Sequence, residues 1–368
     1  MYKPNFENSI TNFSNSILKR FNVKTFHPTI KKIDDLLKDK KKILVFLFDG
    51  MGKNILETHL KEDSYFISHV IHTMDATFPP TTVASTNSFL SGKFPIENGW
   101  FGWSQYFKEV NRNVAVFWNK DEDTKEDLGN DYYIYKYASY KRIDELINEA
   151  NGKNIAKWIS GYPIEKKDRR VRFLNKFVNR AFAHANSKEE TFTYAYWNCP
   201  DSKMHTYGIK AQEVHYNILK IQKLVKSYQR KYKDVTVFVI ADHGLIDIEY
   251  MFLDEHPDLV SLLKRYPSFE VRTPNFFIKD NKQEEFKELF LKYYGEYFEL
   301  YSKIEVLNQS IFGEGTPHEM ANEFIGDYIA VSKSKYALTM HDLKNKLKAH
   351  HAGGTKDEFL INVMYFGD

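Results

Sequence analysis

The sequence predicts an α/β fold in which a mostly parallel central sheet carries helices on both faces. Short, continuous apolar runs are typical of fully buried parallel strands, and three occur here: ILVFLF (residues 43–48), TFTYAYW (Thr191–Trp197) and VTVFVI (residues 235–240). Between the last two, residues 214–231 repeat apolar side chains at helical spacing. Strand, helix and strand in this order indicate a βαβ unit, from which parallel sheets are built.

The composition favours one large domain. The chain has 368 residues, 42% hydrophobic and 27% charged, which is enough for a sizeable core. A net charge of +3 is too small an excess to indicate a nucleic-acid or membrane-surface partner. The single cysteine, Cys199, excludes an internal disulfide framework and a cysteine-cluster metal site. No apolar run approaches the ~20 residues that span a bilayer, and the N-terminus lacks a signal-type apolar segment, so we expect a cytoplasmic protein.

Two segments depart from the strand–helix pattern and are predicted to be insertions over the strand ends of a single domain, residues 1–368. Residues 119–190 are polar and rich in lysine, with helical patterns at 143–150 and 170–183, and are predicted to form a helical insertion. Residues 255–320 are predicted to form a small α+β cap insertion, with a strand at 275–280, a helix at 284–294 and a strand at 298–303.

An aspartate follows each of the three predicted strands within a few residues. Asp49 follows the first strand in FDGMG, and Asp242 with His243 follows the last in ADHG. Asp201 follows the middle strand and is spaced i, i+4 from His205, which places both on one face of a helical turn. Alone, each group also fits an ordinary turn or a solvated contact. Functional groups gather at the carboxyl ends of parallel strands, so we expect these side chains to meet.

A helix-capping threonine and a late histidine complete the set. Two prolines precede Thr81 and Thr82 in FPPTT, and VASTNSFLS then predicts a short helix that ends at Gly92. Either threonine would lie at the N-cap, where its hydroxyl and unpaired backbone amides face an anion. In KAHHAGGTKDE, His351 precedes a pair of glycines that lets the backbone approach a site closely, and His350 is the competing residue.

These residue types point to divalent cations and phosphoryl transfer. Aspartate and histidine without thiolate suit Zn²⁺ or Mn²⁺ better than Ca²⁺. Two such ions about 4 Å apart stabilise the attacking and the leaving oxygen of an in-line phosphoryl transfer. One of them can also lower the pKa of a bound hydroxyl and so activate a threonine as nucleophile.

Taken in chain order, these residues resemble the alkaline phosphatase superfamily, and most closely its type I phosphodiesterase/nucleotide pyrophosphatase branch. The stretch FPPTT…LSGKFPIENGW resembles the nucleophile segment of that branch, and ADHG and HAGGT resemble its two later metal motifs. The resemblance runs from Asp49 to His351 and is weak in the two insertions. It implies an alkaline-phosphatase-like three-layer sandwich with cap insertions, forming one catalytic domain that works through a covalent phospho-threonine.

The resemblance also implies a role for each candidate residue. Thr82 would be the nucleophile, because the family's nucleophile lies ten residues before the glycine that ends its helix, here Gly92. Two divalent ions, Zn²⁺ first and Mn²⁺ as the alternative, would be bound by two sets of side chains. These sets are Asp49, Thr82, Asp242 and His243 for one ion and Asp201, His205 and His351 for the other. Trp103 stands where animal-type members have a phosphoryl-binding Asn, with Asn98 nearby.

The leading hypothesis is hydrolysis of phosphodiester or pyrophosphate bonds in a small-molecule or nucleotide substrate. A monoester dianion gains most from an additional fixed cation, and the nearest basic residue after the predicted helix is Lys93. The segment GWFGWSQYF offers instead Trp100, Trp103 and Tyr106, whose rings can stack on a base. A phosphomonoesterase or a phosphosugar mutase of the same superfamily remains open. A further alternative is a non-catalytic phosphate- or RNA-binding protein that uses the basic stretch EKKDRRVR, residues 165–172.

Overall fold

The computed structural model describes residues 1–161 and 173–367, and the order of their elements is that of a mixed α/β protein. The helices are α1 Ile10–Arg20, α2 Lys31–Leu37, α3 Lys53–His59, α4 Thr82–Ser91, α5 Pro95–Asn98, α6 Tyr133–Tyr137, α7 Ile143–Asn151, α8 Leu174–Ala185, α9 Asp201–Tyr207, α10 Gln212–Lys231, α11 Pro257–Val260, α12 Gln283–Tyr294, α13 Lys303–Asn308, α14 Ala321–Phe324 and α15 Lys356–Phe359. Among these described helices, none has the combined length and apolar character that crossing a bilayer requires.

The strands belong to two larger sheets and two small ones. They are β1 Lys42–Phe48, β2 Val70–Asp75, β3 Ser104–Phe107, β4 Arg112–Ala115, β5 Lys120–Asp121, β6 Ala156–Ser160, β7 Thr191–Trp197, β8 Thr236–Ile240, β9 Ile246–Asp247, β10 Glu249–Phe252, β11 Ser268–Glu270, β12 Thr273–Phe276, β13 Phe298–Ser302, β14 Tyr328–Ser332, β15 Tyr336–Thr339, β16 Ala349–His350 and β17 Leu360–Phe366.

The central sheet has the strand order β2-β17-β8-β1-β7-β6. Strands β8, β1, β7 and β6 run parallel, and β17 is antiparallel to both of its neighbours. The three predicted strands are therefore adjacent at the middle of the sheet. Every residue of β7 and β8 is buried, as are all residues of β1 after the first. Burial on both faces explains why these strands are continuous apolar runs instead of alternating ones.

Helices cover both faces of the central sheet, which gives three layers. On one face, Phe89 of α4 stacks on Tyr194 of β7 with ring centroids 4.4 Å apart, and α1 packs against α4. On the other face, Phe46 of β1 contacts Phe182 of α8 at 5.7 Å, and α10 packs against α8. The predicted fold class, a mostly parallel sheet between two layers of helices, is confirmed.

The second large sheet is antiparallel, with the order β13-β14-β12-β11-β3-β4-β5. Strands β11, β12 and β13 come from the predicted cap segment 255–320, whereas β3, β4, β5 and β14 come from outside it. The predicted strand at 275–280 is β12, which ends at Phe276, and the predicted helix and second strand are α12 and β13. The α+β piece is therefore part of a larger sheet. The strands of this sheet are two to five residues long, and the pairing of β11 with β3 joins distant parts of the chain, which no local pattern predicts.

The segment 119–190, predicted as a helical insertion, differs from that prediction. It contains α6, α7 and α8, but it also contributes β6, which pairs in parallel with β7 at the edge of the central sheet. The sequence pattern missed β6 because an edge strand leaves part of its surface to solvent, and AKWIS has exposed and half-buried positions. Residues 162–172, which include the start of the predicted helix 170–183 and the whole basic stretch 165–172, lie outside the described residues.

Candidate active site

Hydrogen bonds donated by backbone N–H groups join the carboxyl ends of the three central strands. The backbone N–H of Asp49 donates to the carbonyl of Trp197 at 2.9 Å, and that of Asp201 donates to the carbonyl of Asp49 at 3.0 Å. On the other side of β1, the N–H of Gly50 donates to Asp242 Oδ1 at 2.9 Å. The residues that follow the three strands therefore converge on one place, as the parallel order predicts.

Thr82 is the first residue of α4 and points into this place. Thr81 is the N-cap, with extended backbone, and the helix ends at Gly92, whose φ of 70° is left-handed. Thr82 Oγ1 lies 3.3 Å from Asp49 Oδ1 and 3.1 Å from His243 Nε2. The amides of a first helical turn lack intrahelical partners, so this helix end presents N–H groups to an anion at Thr82.

A second group of side chains lies beside the first. His205 Nε2 is 3.2 Å from Asp201 Oδ1, and His351 Nε2 is 3.9 Å from the same oxygen. The other ring nitrogen of His205, Nδ1, is 2.7 Å from the carbonyl of Ala349, which orients Nε2 towards Asp201. The rings of His243 and His351 are 3.9 Å apart between centroids, so the two groups are contiguous.

The electrostatics of the site show closely packed negative charge that needs compensation. Burial and the charge of Asp49 raise the pKa of Asp242 well above its usual value. Burial alone would lower the pKa of His243, but Asp242 and Asp49 raise it to about 10. Burial opposes ionisation of Asp201, yet the neighbouring His205 lowers the pKa of this carboxyl. Buried carboxylates and imidazoles packed this closely are typical of a site whose charge a bound cation balances.

The residues present fit divalent cations. Asp242 Oδ2 is fully buried without a hydrogen-bond partner, which is costly for a carboxylate oxygen unless it binds a ligand. Among the described residues, ligand atoms within 4.8 Å of one another occur in three sets: Asp49, Asp201 and His243; Asp201, His205 and His351; and Glu270, His350 and His351. Carboxylate and imidazole donors without thiolate suit Zn²⁺ or Mn²⁺. All the residues predicted as ligands are brought together, and their assignment to individual ions stays a prediction.

His350 lies beside this site, but its ring makes different contacts from that of His351. Its Nδ1 lies 3.0 Å from both the backbone N–H and the carbonyl oxygen of His351, so this ring nitrogen is engaged by the neighbouring backbone. Burial lowers the pKa of His350 to about 3, which favours the neutral ring. A ring nitrogen of His350 lies near ligand atoms of Glu270 and His351. The ligand set of Asp201 and His205 includes His351 and not His350.

A cavity of about 920 Å³ opens in front of the two groups, with Thr82 and the strand ends on its floor. Of the three aromatic residues predicted to face a substrate, Trp103 lines the cavity. Trp100 is instead buried, with its Nε1 donating to the carbonyl of Ala138, and Tyr106 lies under the guanidinium of Arg265. The prediction was therefore wrong for Trp100 and Tyr106, because β3 and the turn before it send these rings into packing contacts.

Asn98 does not replace the phosphoryl-binding Asn of the family. Its side-chain amide donates to Ser91 Oγ and to the carbonyl of Lys93, and its Oδ1 accepts from the N–H of Trp100. These bonds hold the turn around α5. The Lys93 ammonium lies over the ring of Phe26, 4.8 Å from its centroid, and is likewise engaged elsewhere.

Sequence reasoning missed two buried side chains of the site. The Tyr196 hydroxyl donates to Asp49 Oδ2, and its only sequence signal is a polar tip near the end of a buried strand. Glu270 Oε1 accepts hydrogen bonds from Thr81 Oγ1 at 2.6 Å and from the N–H of Trp103 at 2.9 Å. Burial raises the pKa of Glu270 to about 7. No motif marks Glu270, because it comes from β11 of the second sheet.

A buried ion pair holds the loop that carries His351. Arg272 and Glu358 are both fully buried and form a bidentate contact, with Nε–Oε1 at 2.8 Å and Nη2–Oε2 at 2.9 Å. Glu358 also accepts from the N–H of Gly353 at 2.7 Å and from Thr355. A Cβ at Gly353 would lie 2.3 Å from Arg272 Nη2, so only glycine allows this approach.

Glu358→Gln is expected to lower the free energy of unfolding by about 3–5 kcal/mol, because it leaves the buried Arg272 without a counter-charge. Urea denaturation of the metal-saturated protein measures the change. The control is Glu249→Gln, which breaks the exposed pair with Lys335 and should change the free energy of unfolding far less, because solvent screens that pair. Equal, small effects of the two substitutions would contradict a structural role for the buried pair.

The fold and the site together define a class, the phosphoric ester hydrolases of the alkaline phosphatase superfamily. The sequence model of one branch, type I phosphodiesterase / nucleotide pyrophosphatase, matches residues 43–356. The chain belongs to that family, and the resemblance seen in the sequence is confirmed.

Solved structures show the same fold at low sequence identity. Murine ectonucleotide pyrophosphatase/phosphodiesterase 5, as an inactive variant in complex with AMP, matches with a TM-score of 0.66 at 14% identity, covering 89% of this chain and 88% of that one. The human protein of the same name matches with a TM-score of 0.67 at 16% identity and the same coverage. No curated protein matches the sequence.

Proposed function

We propose that the protein hydrolyses phosphodiester or pyrophosphate bonds through a covalent intermediate on Thr82. The observation that carries the proposal is the position of the Thr82 hydroxyl, at the N-terminus of α4 and within 3.4 Å of both Asp49 and His243. A hydroxyl in such a place is near groups that accept its proton and near helix amides that stabilise a phosphoryl oxygen.

The reaction proceeds in two displacements. In the first, Thr82 Oγ1 forms a bond to phosphorus while the bond to the leaving oxygen breaks, and the hydroxyl proton passes to a neighbouring acceptor in the site. In the second, water attacks phosphorus and Thr82 Oγ1 leaves, which restores the free hydroxyl. The N–H groups at the start of α4 bind the non-bridging oxygens in both steps.

Two divalent ions, Zn²⁺ before Mn²⁺, are part of the proposal. The family is metal-dependent, and the buried carboxylates and imidazoles described above are suitable ligands. One ion would be held by Asp49, Asp242 and His243 together with Thr82, and the other by Asp201, His205 and His351. When bound, such ions neutralise charge on the phosphoryl group and act as Lewis acids. Tyr196, through its bond to Asp49, orients one of the ligands.

The proposed substrate is a small diester or a nucleotide. The murine relative was solved in complex with AMP, and Trp103 on the cavity wall offers a ring on which a base can stack. Among the described residues that line the cavity, the lysine and arginine side chains are Lys125 and Arg142, and both pair with carboxylates. The described part of the cavity wall therefore has no unpaired lysine or arginine that would favour a monoester dianion. A single catalytic domain and a cytoplasmic location stay predictions.

The wild-type protein is expected to cleave bis-p-nitrophenyl phosphate with a kcat/KM at least about tenfold above that for p-nitrophenyl phosphate, because the monoester brings an extra negative charge. Chromogenic assays with Zn²⁺, Mn²⁺ or Mg²⁺ measure both constants, and a dinucleotide serves as third substrate. A preference for the monoester would overturn the diester part of the proposal. Conversion of a phosphosugar to an isomer without phosphate release would favour the mutase.

A further inference from the structure

We propose that Glu270 is a specificity-determining residue whose negative charge disfavours phosphate monoesters in the Thr82 site. The inference rests on the proposed function, because it concerns substrates that react at Thr82. It assigns a task to a carboxylate that belongs to neither of the two ligand sets proposed for the cations.

Glu270 lies next to the nucleophile. Its Oε1 accepts hydrogen bonds from the side chain of Thr81, the residue before the nucleophile, and from the N–H of Trp103. A carboxyl oxygen of Glu270 is also within 4.8 Å of ligand nitrogens of His350 and His351. The carboxylate therefore lines the cavity between the start of α4 and the second group of ligands.

The charge of Glu270 has no cationic partner among the described lysine and arginine side chains. The basic side chains on the cavity wall are engaged by other carboxylates: Lys125 Nζ is 2.8 Å from Glu122 Oε1, and Arg142 Nε is 2.9 Å from Asp144 Oδ1. Arg272, two residues along the chain, is committed to Glu358. The positive charges that act on Glu270 are those of the imidazoles of His243 and His205. Because no described lysine or arginine pairs with Glu270, its negative charge also acts on a group that occupies the cavity.

The backbone before Glu270 adopts an unfavourable conformation that fixes its position. Phe269 has a φ of 69°, a left-handed conformation that is rare for an aromatic residue. Its ring is held at 5.6 Å from the ring of Phe101 and at 6.0 Å from that of Phe312. Such conformations persist where the surrounding packing enforces them, and they cluster at functional sites. The left-handed backbone at Phe269 directs the side chain of Glu270 to Thr81.

A carboxylate in this place distinguishes substrates by charge. A monoester dianion carries one more negative charge than a diester, and both place their phosphorus at Thr82. At an effective dielectric constant of about 20, one unit charge at about 7 Å changes an equilibrium or rate constant by roughly 10- to 100-fold. Removing the charge of Glu270 should therefore improve the monoester reaction relative to the diester reaction by a factor of this size.

The test compares two substitutions of the same side chain. Glu270→Gln removes the charge but keeps an oxygen that accepts from Thr81 and Trp103, whereas Glu270→Asp keeps the charge. The matched control is Asp123→Asn, which removes a carboxylate from the same cavity wall and leaves the pair of Glu122 and Lys125 intact. Assays of bis-p-nitrophenyl phosphate and p-nitrophenyl phosphate are run for all variants at the same alkaline pH, where carboxyl groups are ordinarily ionised.

Glu270→Gln is expected to lower the diester-to-monoester ratio of kcat/KM about tenfold or more, while Glu270→Asp and Asp123→Asn stay within about threefold of wild type. Binding of inorganic phosphate, measured by calorimetry, should tighten in Glu270→Gln alone and gives a readout independent of turnover. An unchanged ratio, or equal shifts in Glu270→Gln and Glu270→Asp, would overturn the inference. A wild-type protein inactive on both esters would refute the proposed function instead, and phosphate binding would still test the role of Glu270.

Discussion

Thr82→Ala is expected to lose roughly 10⁴-fold or more in kcat for diester hydrolysis and still fold like the wild type. The Thr82 hydroxyl is the only nucleophile that the described residues place at the N-terminus of α4 within 3.4 Å of Asp49 and His243. Its contacts with these side chains are long, so their loss should cost only about 1 kcal/mol of stability. Steady-state assays and thermal unfolding measure the two effects.

Three variants of nearby threonines serve as controls for this result. Thr82→Ser retains a hydroxyl and should keep measurable activity. Thr86→Ala removes a cavity-lining hydroxyl one turn further along α4, whose own bond goes to the carbonyl of Thr82, and should change kcat less than about tenfold. Should Thr81→Ala abolish turnover while Thr82→Ala retains it, the nucleophile is Thr81 and not Thr82.

Loss of His351 is expected to remove one of two bound ions. Protein purified without chelator should contain about two divalent ions per chain, and His351→Ala should contain about one, with kcat/KM lowered roughly 100-fold or more. The reason is that His351 is one of the three side chains of its ligand set, with Asp201 and His205. Elemental analysis gives the metal content, and a chelator should abolish wild-type activity reversibly.

His350→Ala is the matched control for His351→Ala. It removes the neighbouring imidazole, whose Nδ1 lies against the backbone of His351, and should leave about two ions per chain. An equal loss of metal from both variants would mean that the last ligand is assigned to the wrong histidine. A wild-type protein with one ion per chain would contradict the two-metal proposal as a whole.

The central sheet and the polar side chains at its strand ends were predictable from the sequence because their signals are local. The runs that form β1, β7 and β8 are apolar throughout, since both faces of these strands are buried. The short spacing between each run and the polar residue after it then placed Asp49, Asp201 and Asp242 at one edge. The helix at Thr82 had equally local signals, two prolines before it and Gly92 after it.

The second sheet and Glu270 were not predictable, because their structure depends on contacts between distant parts of the chain. The strands that flank β11 are β12, close in sequence, and β3, more than 150 residues earlier. Glu270 owes its function to this pairing, since its partners Thr81 and Trp103 lie in other elements. Similarly, the edge strand β6 has no continuous apolar run, and its place in the central sheet depends on pairing with β7.

The division of the site between two sheets has an evolutionary consequence. The nucleophile and most of the proposed cation ligands belong to elements that adjoin the central sheet, whereas Trp103 and Glu270 are supplied by the second sheet and the turn that enters it. The exception is the loop of His351, which Arg272, between β11 and β12, holds through Glu358. Away from Arg272, substitutions in the second sheet can therefore alter substrate preference while the bond-breaking apparatus is untouched. The architecture is modular, so grafting segments of this sheet between relatives should transfer selectivity more readily than rate.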